Sequence, residues 1–175
     1  KGVSLKNIAI FYRVNSMSRV IEEAFFRNNI KYQIVRGVEF YRRKEIRDLL
    51  AYLKVLVNPD DEVSLLRIIN TPSRGIGKVT IDKAKNFAVE NGISLFDALG
   101  KAGQINALSK AVQAKLAVLH NMLVQFQKDA SGKAAPVAER VFKESGLEQM
   151  LYSEGAEGQN AIENVSELIN AASKF

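Results

Sequence analysis

The chain contains no cysteine and no tryptophan, and it has one histidine among its 175 residues. Without cysteine it can form no disulfide bond, thiolate metal site or cysteine nucleophile. The single histidine, His120, falls among Leu119, Met122 and Leu123 in a helical pattern, where a structural role is expected rather than a catalytic one.

Long apolar runs are also missing. No stretch approaches the roughly 20 apolar residues that span a bilayer, and the amino terminus lacks the apolar block of a signal peptide. We therefore expect a globular, cytoplasmic protein with no membrane partner. The hydrophobic content of 47% is ample for a packed core, and the length fits one domain or one and a half.

Positive charge is concentrated in two places. The formal net charge of the chain is +6, but residues 1–58 carry 12 Lys/Arg against 5 Asp/Glu, and residues 59–175 carry 13 against 14. Within residues 67–85, five cations and one anion surround a glycine-rich turn. This distribution suggests a polyanion as the partner.

The first 58 residues alternate apolar and helical patterns, as in a small parallel α/β unit with a right-handed crossover. Strands are predicted at 7–12 and 31–35, and helices at about 17–28 and 44–57. Asn15 or Ser16 would cap the first helix, and its buried stripe would be Val20, Ile21, Ala24 and Phe25. Two strands do not make a stable sheet alone, so either later residues cover them or the chain is part of a larger α/β domain.

After residue 58 the pattern is entirely helical. Helices are predicted at 62–70, 80–91 ending at Gly92, 94–99 capped by Ser94, 105–129, 136–145 closing at Gly146, and 159–173. Residues 130–133 and 155–158 are predicted to be loops. The predicted organisation is an α/β part at 1–58 and a helical part at 59–175, with the border between 59 and 100.

A glycine-rich turn between two predicted helices is the first candidate site. It reads Arg74-Gly75-Ile76-Gly77-Lys78-Val79-Thr80 and is typical of a helix-hairpin-helix. Its glycines allow close backbone approach, Ile76 anchors the turn, and the next helix start and Lys78 face a phosphate. An ordinary interhelical turn is the alternative. The spacing excludes a Walker A loop.

Two further stretches combine aromatic and basic residues. Phe40 to Asp48 holds two aromatics and four cations at a helix start, typical either of a surface that meets nucleic acid or another charged domain, or of a solvated helix face. Tyr12 and Arg13 follow the first predicted strand, where the ring could stack on a base and the guanidinium could meet a nucleotide phosphate. A surface arginine is the alternative. No catalytic carboxylate pair, metal-ligand cluster or nucleophile–base arrangement accompanies the candidate nucleotide-binding residues Tyr12 and Arg13, so the chain does not look like a complete enzyme.

Together these residues resemble the bacterial UvrD/PcrA/Rep helicases of superfamily one. The similarity is dense over residues 7–85 and continues more thinly through "KESGLEQML" and "ENVSELINAASKF". It combines the family's fourth motif, from Tyr12-Arg13-Val14-Asn15 to Glu22-Glu23, with the accessory motif Phe40 to Asp48 and the Gly75-Ile76-Gly77 turn.

The resemblance implies a fold and a function. These helicases hydrolyse ATP, with Mg²⁺, between two RecA-like motor domains and move 3′ to 5′ along single-stranded DNA. Arg13 would sense the γ-phosphate as a catalytic finger, and Tyr12 would stack on adenine. Duplex DNA would be contacted by Arg74, Gly75, Ile76, Gly77, Lys78 and Thr80. The expected fold is mixed and mostly α: a small parallel RecA-like α/β stub followed by an all-helical module with the helix-hairpin-helix turn. By this resemblance, residues 1–58 would be the opening part of the second motor domain, and residues 59–175 would lead into the helical subdomain inserted in it.

Departures from the family pattern limit what the chain can do. The Walker A loop, the Walker B acidic pair and the later motifs are absent, and Arg36 replaces the first of two glycines before the accessory motif. We therefore predict a fragment that binds no cofactor by itself, is inactive alone, and acts with the remaining motor domains on duplex DNA and the single-strand junction. The alternative is a non-catalytic DNA-binding or protein-interaction module derived from the same family.

Overall fold

A computed structural model describes residues 3–14, 17–34, 40–130 and 132–173, and the fold that they form is helical. The helices within these ranges are α1 (Ser18–Arg27), α2 (Lys44–Val57), α3 (Glu62–Ile68), α4 (Lys78–Asn91), α5 (Leu95–Gly100), α6 (Lys110–Gln127), α7 (Ala134–Glu144), α8 (Leu147–Tyr152) and α9 (Gly155–Ala172). None of these helices has the length and apolar character needed to cross a membrane.

Helix α2 lies at the centre of the core. Ile46, Leu49, Tyr52 and Val55 recur at helical spacing along one face, and all four are fully buried. Because α2 packs against α3, α6, α7 and α9, segments that are distant in sequence meet around it. The polar end of Tyr52 is thereby brought to the loop between α3 and α4.

Helix ends marked by a capping residue are predicted well. At the start of α5, Ser94 Oγ accepts a hydrogen bond of 3.0 Å from the backbone N–H of Asp97. Gly92 follows α4 with φ +61° and Gly146 follows α7 with φ +88°, the left-handed conformation that commonly ends a helix. Helix α4 begins at Lys78, earlier than the predicted residue 80, because its N-cap residue is Gly77.

The predicted parallel α/β stub is wrong. Residues 8–12 and 31–34 have no regular structure, and no strand occurs among the described residues; residue 35 lies outside them. The apolar side chains of the first predicted strand are exposed, with Ile8 at 53%, Ile10 at 49% and Phe11 at 92%. A strand is held by ladder hydrogen bonds to a neighbouring strand. Since neither segment has such a neighbour here, an apolar pattern alone does not order it.

The buried stripe predicted for α1 is also wrong. Its predicted members are partly or largely exposed: Val20, Ile21, Ala24 and Phe25. The buried side chains are instead Ser18, Arg19 and Glu22. Arg19 Nε donates to Glu167 of α9 at 2.9 Å, so polar contacts dock this helix on the bundle. The predicted caps Asn15 and Ser16 lie outside the described residues.

Residues 155–158, predicted as a loop, form the first turn of α9 instead. The two glycines there have separate roles. Gly155 starts the helix with φ +67°, whereas Gly158 lies so close to α8 that a Cβ on it would be 1.8 Å from the backbone oxygen of Leu151. Glycine at position 158 is therefore explained by close packing of α8 and α9. The sequence pattern does not distinguish a glycine of this kind from one in a flexible turn.

Candidate nucleic-acid interface

The predicted hairpin lies between α3 and α4, and one side chain organises its loop. Asn70 Oδ1 accepts hydrogen bonds from the backbone N–H groups of Arg74, at 2.7 Å, and Ile76, at 3.1 Å. Ile76 is buried, whereas Gly75 and Gly77 on either side of it are exposed. Gly75 has φ +66°, a conformation that costs a residue with a Cβ about 1–2 kcal/mol. The turn itself thus favours glycine at position 75.

Arg74 is directed into the protein. Its Nη1 donates to the backbone oxygens of Ile68, at 3.0 Å, and Pro72, at 3.1 Å. Its Nη2 donates to the Tyr52 hydroxyl, at 2.6 Å, and to the backbone oxygen of Ser145, at 3.0 Å. These bonds engage both Nη atoms and join the loop to α2 and to the end of α7. Arg74 therefore orders the loop from inside, and its contact with DNA stays a prediction.

Tyr52 connects this arginine to the rest of the loop. Its hydroxyl donates to the backbone oxygen of Thr71 at 2.6 Å while it accepts from Arg74. Burial raises the pKa of Tyr52 above its ordinary value, and the charge of Arg74 acts in the opposite direction. The hydroxyl consequently keeps its proton at neutral pH. We refer to Tyr52, Thr71, Arg74 and Ser145 as the Arg74 network.

The amino-terminal end of α4 is open. Gly77, its N-cap residue, has no side chain to cap it, and the first turn contains no acidic residue. The backbone N–H groups of Lys78, Val79 and Thr80 have no acceptor within the helix, and the helix dipole adds a partial positive charge there. A Cβ on Gly77 would meet no atom within 4 Å. This geometry permits an anion to approach the backbone closely.

Most cations counted around the turn are engaged within the protein. Arg74 is one of them, and three others contact acidic side chains or a backbone oxygen. These pairs are Arg67 Nε with Asp48 at 2.8 Å, Lys85 Nζ with Glu62 at 2.6 Å, and Lys83 Nζ with the Ala107 backbone oxygen at 2.7 Å. Lys78, at the start of α4, is the member of the group that makes no such contact with the described residues.

One further cation reaches the turn from α6. The Nζ atom of Lys115 lies 2.6 Å from the position that a Cβ on Gly75 would occupy. Lys115 is exposed, while Leu116 and Leu119 of the same helix are buried and set the orientation of its faces. Sequence reasoning missed Lys115 because no local motif marks it; only the packing of α6 brings it to the hairpin.

The second predicted surface, Phe40 to Asp48, is divided between the protein interior and the surface. Phe40 is buried, and Arg43 lies over its ring at 5.3 Å while donating from Nη1 to Asn164 of α9 at 2.7 Å. Asp48 is buried too, and burial raises the pKa of its carboxyl despite the neighbouring guanidinium of Arg67. The members of this stretch that are exposed cations or aromatics are Tyr41, Arg42, Lys44 and Arg47.

Tyr12 and Arg13 lie in the irregular segment before α1. Arg13 is exposed and Tyr12 is half-buried. Neither side chain makes a hydrogen bond or ion pair with the described residues, and no such contact joins them to the hairpin. Their predicted roles at a nucleotide stay predictions.

Comparisons with known proteins agree on one family. The model of the UvrD-like helicase C-terminal domain matches residues 1–175. The ATP-dependent DNA helicase PcrA of Staphylococcus aureus strain Mu50 is 38% identical over 176 residues, which cover 99% of this chain and 24% of that helicase. PcrA of Staphylococcus epidermidis strain ATCC 12228 is 39% identical over the same share of each chain. The chain thus spans about a quarter of the length of these relatives.

Proposed function

Because the chain belongs to the UvrD-like helicase C-terminal domain family, we propose that it is the segment of an ATP-dependent 3′ to 5′ DNA helicase that holds duplex DNA by its backbone. The observation that carries the proposal is the open start of α4 behind the Gly75–Gly77 turn. Its relatives are named as ATP-dependent DNA helicases, which supports the same reaction for the protein that contains this segment.

In this proposal the hairpin holds one phosphate of the duplex. The N–H groups at the start of α4 donate to the phosphate oxygens, and Lys78 and the Thr80 hydroxyl add a charge and a donor. Gly77 leaves the space through which the phosphate approaches, and Ile76 anchors the turn in the core. Such a contact reads charge and backbone shape rather than base sequence, as suits an enzyme that moves along DNA.

A charge introduced at Gly77 tests this contact. Gly77→Asp places a carboxylate where the phosphate would lie, while Asp is itself a favoured N-cap residue, so α4 should still form. Gly103→Asp is the matched control, since a Cβ on Gly103 also meets no atom within 4 Å. Titrated with a DNA duplex carrying a 3′ tail, Gly77→Asp should bind at least about tenfold more weakly than Gly103→Asp. Equal affinities would refute the hairpin contact.

At the nucleotide, the proposal assigns the guanidinium of Arg13 to the γ-phosphate and the ring of Tyr12 to adenine. In the full-length protein, Arg13→Ala should lower kcat for ATP hydrolysis roughly 10³-fold or more, the scale of an arginine finger. Arg27→Ala is the control, since Arg27 is an exposed arginine of α1 whose contact is a 4.0 Å pair with Glu23. Unchanged turnover in Arg13→Ala would reject the assignment.

The family's reaction also uses Mg²⁺, an ion that proteins commonly hold with one or two carboxylates together with the phosphates of the nucleotide. The described residues contain no group of three or more histidine, aspartate or glutamate side chains that could hold a metal ion. No step through the metal is assigned to them. Because the sequence lacks the Walker A loop and the Walker B acidic pair, the 175-residue chain alone should neither hydrolyse ATP nor unwind DNA. ATP hydrolysis by the purified chain would contradict its proposed role as one part of a motor.

The two tests together separate the alternatives. Loss of duplex binding in Gly77→Asp with normal turnover in Arg13→Ala would favour a hairpin that binds DNA without a catalytic role for this segment. Normal binding and normal turnover in both variants would favour a protein-interaction module.

A further inference from the structure

The position of Lys115 extends the hairpin site beyond its motif. Its ammonium lies over Gly75, in the space that a side chain at position 75 would fill. No hydrogen bond or ion pair holds this ammonium to the described residues, and the residue is exposed. The glycine therefore does two things: it permits the left-handed turn, and it leaves room for a cation contributed by another helix.

Few other cations at this turn are available to a ligand. Nη1 of Arg74 donates to the backbone oxygens of Ile68 and Pro72, and Nη2 donates to Tyr52 and Ser145. Lys83 Nζ donates to the backbone oxygen of Ala107. Lys78 and Lys115 are left, one at the start of α4 and one beside Gly75. The positive charge that the sequence pattern assigns to Arg74 at the surface of the turn is thus supplied by Lys115 of α6.

We propose that Lys115 is a phosphate-binding residue of the hairpin, and that it holds a phosphodiester of duplex DNA between its ammonium and the amino-terminal end of α4. The proposal rests on the function proposed above and adds a residue on a different helix. A lysine ammonium acts as a compact charge with rotatable donors, which suits a phosphate but carries no base specificity.

Salt dependence distinguishes a phosphate contact from a general effect on charge. Each phosphate that a cation neutralises contributes about 0.9 to the slope of log K against log salt on duplex DNA. Lys115→Gln should lower this slope by about 0.9 and weaken binding to a 3′-tailed duplex at low salt, whereas Lys115→Arg should retain the slope. The control is Lys128→Gln, which makes the same charge change beyond the other end of α6, where Lys128 Nζ donates to Gln125 Oε1 at 2.9 Å.

The outcomes are distinguishable from those that test the proposed function. A slope reduced in Lys115→Gln but not in Lys128→Gln, together with weak binding by Gly77→Asp, supports the proposal. Equal slopes for the two lysine variants overturn it, and if Gly77→Asp still binds weakly, the hairpin contact itself stands. Wild-type binding by Gly77→Asp overturns both, because Lys115 then has no phosphate at the turn to hold. Unchanged thermal melting by circular dichroism ensures that each variant is folded.

Discussion

Replacing Tyr52 with phenylalanine should destabilise the hairpin without changing its net charge. The ring is fully buried in α2, and phenylalanine can occupy the same space. The substitution removes the hydroxyl that donates to the Thr71 backbone oxygen at 2.6 Å and accepts from Arg74 Nη2 at 2.6 Å. The Thr71 oxygen is left without this partner, while Nη2 keeps its bond to Ser145.

The expected loss of stability follows from these two bonds. A typical hydrogen bond contributes about 0.5–1.5 kcal/mol, a bond to a charged group about 1.5–3 kcal/mol, and an unsatisfied buried acceptor costs about 1–3 kcal/mol. Because Arg74 retains its other acceptors, we expect Tyr52→Phe to lower the free energy of unfolding by about 2 kcal/mol. For a chain of this size, that corresponds to a fall in Tm of about 4–8 °C.

Urea unfolding followed by circular dichroism measures this loss, with Tyr152→Phe as the control at a side chain that is 55% exposed. A loss below about 0.5 kcal/mol, equal to that of the control, would refute the claim that the Arg74 network orders the hairpin. Duplex titration adds a second readout: affinity should fall while the slope of log K against log salt stays that of the wild type, since no cation is removed.

Two further predictions concern the packing that supports the site. Gly158→Ala should lower the free energy of unfolding in urea by about 2 kcal/mol or more, because its Cβ would lie 1.8 Å from the Leu151 backbone oxygen. The control, Gly103→Ala, should change this free energy by less than about 0.5 kcal/mol. Similar values for the two variants would contradict the close helix contact. Burial raises the pKa of Asp48 in the fold despite the opposing charge of Arg67, so its contribution to stability is present at acidic pH and is lost as pH rises from about 4 through the folded pKa. The free energy of unfolding of the wild type should therefore fall relative to Asp48→Asn over that range, and parallel pH profiles would argue against the raised pKa.

The helical part of the fold could be predicted because its signals are local. Ser94 marks a helix start through its side-chain hydroxyl, and Gly92 marks a helix end through its left-handed backbone. The buried face of α2 follows from the spacing of its apolar residues. The strand predicted at 7–12 could not be judged in this way, because a strand depends on a neighbour that no local pattern supplies. Residues such as Phe11 are apolar and yet exposed here.

The site could be predicted in part for a related reason. The Gly75–Gly77 turn and the start of α4 adjoin each other in sequence, so their spacing was informative. Segments that are distant in sequence decide whether a cation faces solvent or the core. Ser145, for example, accepts a hydrogen bond that directs Arg74 into the protein. Charge counting therefore does not reveal that Arg74 is directed into the protein, and it cannot identify Lys115, which reaches Gly75 only through helix packing.

The most direct test of the central claim is to follow the backbone amide resonances of the chain by NMR while a 3′-tailed DNA duplex is added at low salt. A phosphate held at the start of α4 predicts that the amides of Gly77, Lys78, Val79 and Thr80 shift most and saturate together with a single affinity, and that added salt reverses the shifts. Shifts confined to other surfaces, such as Arg42 and Arg47 near the start of α2, with the amides of α4 unchanged, would contradict the account.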